Sequence, residues 1–176
     1  MTPELAALID KQAIAEVIYR YCRAIDRLDE ALLQSCFHAG SEHEQGAYSG
    51  PSLTFCRYAI DKLADVRCTH HQVGNLLIDL AGDVAHTEAY WTAFHRLRAD
   101  GPPSGLFRGT GIEEDLVIGG RYIDRFERRR GEWRIARRFG VYDWQRYTPA
   151  SDGDFDALAP DRRGCRGPGD RAYWRG

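Results

Sequence analysis

His71-Gln72-Val73-Gly74-Asn75-Leu76-Leu77-Ile78-Asp79-Leu80-Ala81-Gly82-Asp83-Val84-Ala85-His86-Thr87-Glu88-Ala89-Tyr90-Trp91 is the stretch on which the fold turns. From Val66 onward the helical period gives way to strands. Residues 67–80 and 84–98 read as two long arms around Ala81-Gly82-Asp83, a short hairpin turn. Downstream, residues 115–129 and 132–147 read as a second hairpin around Arg130-Gly131. Between the hairpins, residues 99–111 carry Gly101, Pro102, Pro103, Gly105, Gly109 and Gly111, which predicts a long loop or lid.

Upstream the period is helical. Leu5, Leu8, Ile9, Ile14, Val17, Ile18, Tyr21, Cys22 and Ile25 follow the three-four spacing of one buried face. Thr2 is placed to cap this helix, with Pro3 at its first position. Asp29 can cap a second short helix from Glu30 to about Phe37. Residues 38–50, with Gly40, Gly46 and Gly50, read as loop. Pro51 to Ala64 reads as a third helix, with Leu53, Cys56, Ile60, Leu63 and Ala64 facing inward. Helices followed by four long antiparallel strands predict an α+β fold: a cone-shaped, curved antiparallel sheet whose three N-terminal helices enclose a pocket. The expected division is a domain over 1–148 and an irregular arm over 149–176. Phe155, Tyr173 and Trp174 would anchor the arm on the body or on a neighbouring subunit.

The bulk numbers narrow the function classes. A chain of 176 residues, 43% apolar and 28% charged, supports one domain with a real core. A net charge of −2 gives no electrostatic reason to expect nucleic acid or an anionic membrane as partner. No run approaches the ~20 apolar residues of a membrane span. The N-terminus has no signal-type apolar segment. Cys22, Cys36, Cys56, Cys68 and Cys165 show no metal spacing and read as reduced thiols, so a cytoplasmic location is expected.

Two residues carry the chemistry. Asp26 shares a helix face with Ile18, Cys22 and Ile25, so it points with the apolar stripe. A buried acid there costs about 3–5 kcal/mol if it loses its partner. His71 opens the strand arm, and a carboxylate beside an imidazole is a compact general base. The plain alternatives are a helix cap or a partner of Arg23 or Arg27 for Asp26, and an ordinary strand histidine for His71. His70 and His71 are adjacent on a strand and point to opposite faces, which argues against a shared metal; neither metal nor cofactor is expected.

Three local patterns carry a resemblance: Tyr21-Cys22-Arg23-Ala24-Ile25-Asp26-Arg27-Leu28-Asp29, Thr69-His70-His71-Gln72-Val73-Gly74-Asn75, and the run from Gly120 to Arg138. Over residues 5 to about 147 the chain resembles the SnoaL-like branch of the nuclear transport factor two superfamily. Within it the Asp/His pair is similar to that of scytalone dehydratase, hexachlorocyclohexane dehydrochlorinase and bile-acid 7α-dehydratase. The resemblance implies an Asp26–His71 dyad, with Tyr21, Arg138 and His95 at further catalytic positions. It favours His71 over His70 through the Gly74-Asn75 that follows. Strict alternation puts Arg138 opposite Trp133 and Ile135, so it faces the pocket only if Trp133 faces away or a bulge intervenes, with Arg137 as the other choice. Trp91, Phe94, Phe107, Tyr142 and Trp144 are the candidate walls for a flat apolar substrate.

The reading is a cofactor-independent lyase of dehydratase type acting on a cyclic apolar, steroid-like or polycyclic small molecule. A double-bond isomerase uses nearly the same parts. A structural role like that of the small subunit of ring-hydroxylating dioxygenases is the non-catalytic alternative. The resemblance also implies a homo-oligomer, a trimer first and a dimer second.

Overall fold

A computed structural model describes residues 1–102, 106–151 and 157–174. Its elements run α1 (Pro3–Arg27), α2 (Glu30–Ser35), β1 (Phe37–Gln45), β2 (Tyr48–Pro51), α3 (Ser52–Ala64), β3 (Cys68–Ala81), β4 (Val84–Leu97), β5 (Glu114–Arg129) and β6 (Glu132–Pro149). The strands form one curved sheet in the order β2-β1-β6-β5-β4-β3. The α+β class and the three N-terminal helices agree with the sequence reading.

Local chemistry accounts for the element boundaries. Thr2 Oγ1 accepts from the Leu5 amide at 3.3 Å, and Asp29 Oδ1 from that of Leu32 at 2.9 Å. Leu28 ends α1 in the left-handed region, φ 55°. The β3–β4 turn uses Gly82 at φ 63°, and the β5–β6 turn uses Arg130 and Gly131 at 54° and 82°. Positive φ at such two-residue turns lets the connection follow the twist of the strands.

The sheet corrects one expectation. Residues 38–50 are not a loop: most of them form β1 and β2. β1 lies parallel to β6, so the sheet is not purely antiparallel. The register of β1 on β6 slips between Phe37 and Glu42, and Gly40 sits there at φ 76°. That break erases the two-residue period from the sequence.

α1 packs on β3 and β6, and α3 on β1. Ile14, Ile18 and Tyr21 of α1 meet Leu116, Phe126 and Ile135 of the sheet, all essentially buried. Burial of each large apolar side chain contributes about 1.5–3 kcal/mol. Leu5, Leu8 and Ile9 do not join this face; they are about half exposed or more. The helix is tied down at Asp10, whose Oδ1 accepts from Arg128 Nη1 and Trp133 Nε1, both at 2.8 Å. Leu53 of α3, also expected inside, is exposed. Among the described residues no helix is long and apolar enough to cross a membrane.

Past β6 the chain returns to the end of α1. The Gly167 amide donates to the Arg27 carbonyl at 2.9 Å, and Arg27 Nη1 donates to the Cys165 carbonyl at 2.9 Å. Tyr173 is an anchor, its hydroxyl donating to Asp29 Oδ2 at 3.0 Å and its ring lying 4.6 Å below the Arg23 guanidinium. Trp174 is not; it is largely exposed. Phe155 lies outside the described residues.

Candidate active site

Asp26 sits in the last turn of α1 on its inward face, and the nearest strand is β3. Thr69, His71 and Val73 alternate onto the inner side of β3, opposite His95, Ala93 and Trp91 of β4. One extra residue at Gly74-Asn75 breaks the register, and Leu76 turns inward again opposite Ala89. Asp26 therefore meets two successive inward side chains of β3. Oδ1 accepts from Thr69 Oγ1 at 2.8 Å and from His71 Nδ1 at 2.7 Å, and Oδ2 accepts from the His71 amide at 2.9 Å. Asp26 is no helix cap. Burial alone would raise its pKa, but the bonds from His71 and Thr69 outweigh it and hold the carboxyl below its ordinary value. Donation from Nδ1 to this carboxylate leaves Nε2 as the ring nitrogen free of Asp26.

His71 borders two depressions. One is an external groove that also touches Asp26, Arg23 and His70. His70 faces outward, as strand alternation requires. The other is an internal cavity of about 440 Å³ between the helices and the sheet. Tyr21, His95, Trp91, Phe107 and Tyr142 all border it. Tyr21 is 1% exposed; burial raises its pKa, against the opposing charge of Arg138, so it stays a neutral phenol able to donate. His95 is buried with its ring edge-on to His71 at 5.5 Å. Its Nδ1 has no partner among the described residues, and burial pushes its pKa down to about 3. It is a neutral imidazole.

Arg138 turns inward through a bulge. Between Arg125/Phe126 on β5 and Arg137/Ile135 on β6 there is one extra β6 residue, so Ile135 and Arg138 both face the interior. Arg137 faces outward and donates to Glu44 at 3.0 Å. Arg138 is completely buried beneath the cavity wall. Its Nε and Nη2 donate to Asp124 at 2.7 and 2.6 Å, and its guanidinium lies 4.1 and 4.0 Å from the Tyr21 and Tyr122 ring centres. The expected direct contact with a substrate oxygen is corrected: Arg138 is buried behind Tyr21 and Tyr122, which line the cavity, and Asp124 holds its Nε–Nη2 edge, while its buried Nη1 has no partner among the described residues.

Two expected wall residues are not in the cavity. Phe94 lies between Ala93 and His95 on β4 and so points to the outer face, with the Arg96 guanidinium 5.9 Å from its ring. Trp144 pairs with Gly119 across a register shift and covers that glycine on the outer face, half exposed. Tyr142 pairs instead with Gly120, opposite Trp91, on the inner face. Thr69 and Asp124 were not singled out from the sequence. The signals were there: Thr69 is two residues before His71, hence on its face, and Asp124 is the cross-strand partner of Arg138.

A family model described as SnoaL-like domain matches residues 6–139. No curated protein matches the sequence. Solved structures with the same fold include hexachlorocyclohexane dehydrochlorinase LinA-type3 from Novosphingobium barchaimii LL02, 16% identical with a TM-score of 0.69 over 85% of this chain and 95% of that one. A candidate scytalone dehydratase from Novosphingobium aromaticivorans is 18% identical, TM-score 0.66, over 82% and 91%. A variant of Rv3472, a protein of unknown function from Mycobacterium tuberculosis, is 23% identical, TM-score 0.66, over 92% and 83%. At these identities the likeness is one of fold.

Proposed function

Because the chain belongs to the SnoaL-like domain family, we propose that it is a cofactor-independent lyase of dehydratase type acting on a cyclic, largely apolar small molecule. The observation that carries this reading is the 2.7 Å contact between Asp26 and His71 at the wall of an aromatic-lined cavity. His71 Nε2 takes a proton from a carbon next to a carbonyl or similar activating group. Asp26 fixes the ring tautomer and stabilises the imidazolium that forms. The electron pair of the broken C–H bond becomes the new C=C bond as the C–O bond to the leaving hydroxyl breaks. Tyr21 donates to the oxygen where charge develops. The hydroxyl departs as water by taking the proton that His71 removed, which returns the imidazole to its neutral form.

The Tyr21 hydroxyl, kept neutral by burial at the cavity wall, fits a second reading equally well, a double-bond isomerase. There the phenol would hold an enolate oxygen while His71 returns the proton to another carbon. Incubation with hydroxyketones of steroid and polycyclic type, followed by mass spectrometry, separates the two. Loss of one water supports the lyase, and an unchanged mass with a shifted double bond supports the isomerase. Positioned acid–base catalysis is worth about 10²–10⁴-fold, so His71→Ala should abolish detectable turnover in either case. Turnover that persists in His71→Ala contradicts both.

A further inference from the structure

Where β1 and β6 meet the cavity, its wall is made by Gln45, Gly46 and Tyr142. Gln45 ends β1 and pairs with Gly140 of β6, two residues before Tyr142 and on the same face. A Cβ on Gly140 would fall on the Gln45 side chain, so the glycine leaves it room to cross β6. There Gln45 Nε2 donates to Tyr142 Oη at 3.3 Å. The hydroxyl also lies against Gly46, where a Cβ would stand 3.5 Å from it. Both neighbours of the hydroxyl thus belong to the cavity wall.

The direction of this hydrogen-bond chain is set from behind the wall. His43 is fully buried, its ring stacked on Phe55 with 3.4 Å between ring centres. Burial, reinforced by the charge of Arg138, holds its pKa down to about 3, so the ring is neutral and carries one N–H. Its Nδ1 has no partner among the described residues, while Nε2 lies 3.2 Å from Gln45 Oε1. A buried N–H without an acceptor is costly, and a proton on Nε2 avoids that cost. His43 therefore donates to Oε1 and turns the amide NH2 of Gln45 toward Tyr142. Tyr142 Oη accepts this bond, and its own proton has no acceptor among the described residues. Burial raises the Tyr142 pKa, against the bond from Gln45, so the phenol keeps that proton.

We propose that the Tyr142 hydroxyl donates to an acceptor oxygen of the ligand, so that the substrate carries a second oxygen function away from the carbon that reacts at His71. His71 is on β3, three strands from β6. At ~4.8 Å per strand this is ~14 Å along the sheet, and less straight across its curved face. A fused polycyclic skeleton with a carbonyl at each end fits that span. The assignment rests on the cavity being the substrate chamber of the proposed function. It names the substrate class and does not depend on which reaction follows.

The test is calorimetric titration with 5α-androstane-3,17-dione and its 3,17-dimethylene analogue, in which each C=O becomes C=CH2 and the shape is kept. The wild-type protein should bind the dione several times more tightly than the analogue. Tyr142→Phe should weaken the dione about fivefold, the size of one neutral hydrogen bond, and leave the analogue unaffected. Gln45→Glu keeps Tyr142 in place but offers it only acceptors, so it captures the phenol proton. It should weaken the dione to the same extent, an effect that a packing role would not produce, and it serves as the readout if the phenylalanine variant does not fold. His71→Ala should keep the full preference for the dione, so a failure of the catalytic reading leaves this result standing. Equal affinities in the wild-type protein, or no binding of the dione, overturn the assignment. So does a dione affinity unchanged by Tyr142→Phe or Gln45→Glu, or an equal loss for both ligands.

Discussion

At the scale of single residues, the Asp26 carboxylate is held by hydrogen bonds from Thr69 and from the ring and backbone of His71. Asp26→Asn keeps the shape of the side chain and loses its charge. It should lower turnover by a factor within the ~10²–10⁴ range of positioned acid–base catalysis while leaving ligand affinity nearly unchanged. An unchanged kcat would remove Asp26 from the mechanism. Acid should destabilise the fold well above the carboxylate range. His43 and His95 are buried, and burial depresses the pKa of each to about 3, against about 6.5 in an unfolded chain. Between those values the unfolded state binds more protons, so stability is complete above pH ~6.5 and falls as pH drops toward 3. Asp26, whose folded pKa is lowered, adds to the loss only below the ordinary carboxylate value. Urea unfolding at pH 7, 6 and 5 should show stability falling by up to about 1.4 kcal/mol per pH unit for each buried histidine. His95→Gln should flatten the slope, and a pH-independent midpoint would contradict the neutral buried imidazoles.

At the scale of elements, the register shifts in β3 and β6 decide what faces the cavity. The shift at Gly119/Gly120 places Trp91 against Gly120 inside and Trp144 over Gly119 outside. A Cβ on Gly120 would come 2.0 Å from the Val141 carbonyl oxygen, a backbone atom that cannot swing away. Gly120→Ala should cost on the order of 1–3 kcal/mol by overpacking. Gly119→Ala should cost less, because the half-exposed Trp144 can move. Thermal unfolding of the two variants checks this order, and equal losses would contradict it. These shifts also mark how far the sequence could be read. α1, the two long hairpins and the Asp26–His71 pairing were legible, because long uninterrupted periods show which side chains share a face. Arg138 was legible only as an alternative, since its facing depends on a bulge that leaves no local signature. Phe94 and Trp144 were assigned to the pocket as aromatic residues, whereas alternation and the Gly119/Gly120 shift send both outside. The strands β1 and β2 were missed because Gly40 and a register slip interrupt their period, and β1 finds its parallel partner in β6, about a hundred residues further along the chain.

At the scale of the whole molecule, a cone of helices and sheet closes around a cavity that His71 borders, and the C-terminal segment locks onto the end of α1. The outer sheet face carries Tyr90, Phe139 and Trp144, each partly exposed. We propose that this face is covered in a homotrimer, so sedimentation equilibrium should return three times the 20.0 kDa chain mass; a monomer at micromolar concentration would contradict it. In the proposed mechanism His71, oriented by Asp26, removes a proton from carbon inside this cavity. The most direct test of this step is deuterium incorporation from heavy water into the ligands of a polycyclic ketone panel, followed by mass spectrometry beside His71→Ala. Exchange should run well above the rate in buffer for at least one ligand and be lost in the variant while binding survives. Ligands that bind yet exchange no faster than in buffer, or that exchange equally in His71→Ala, would contradict it.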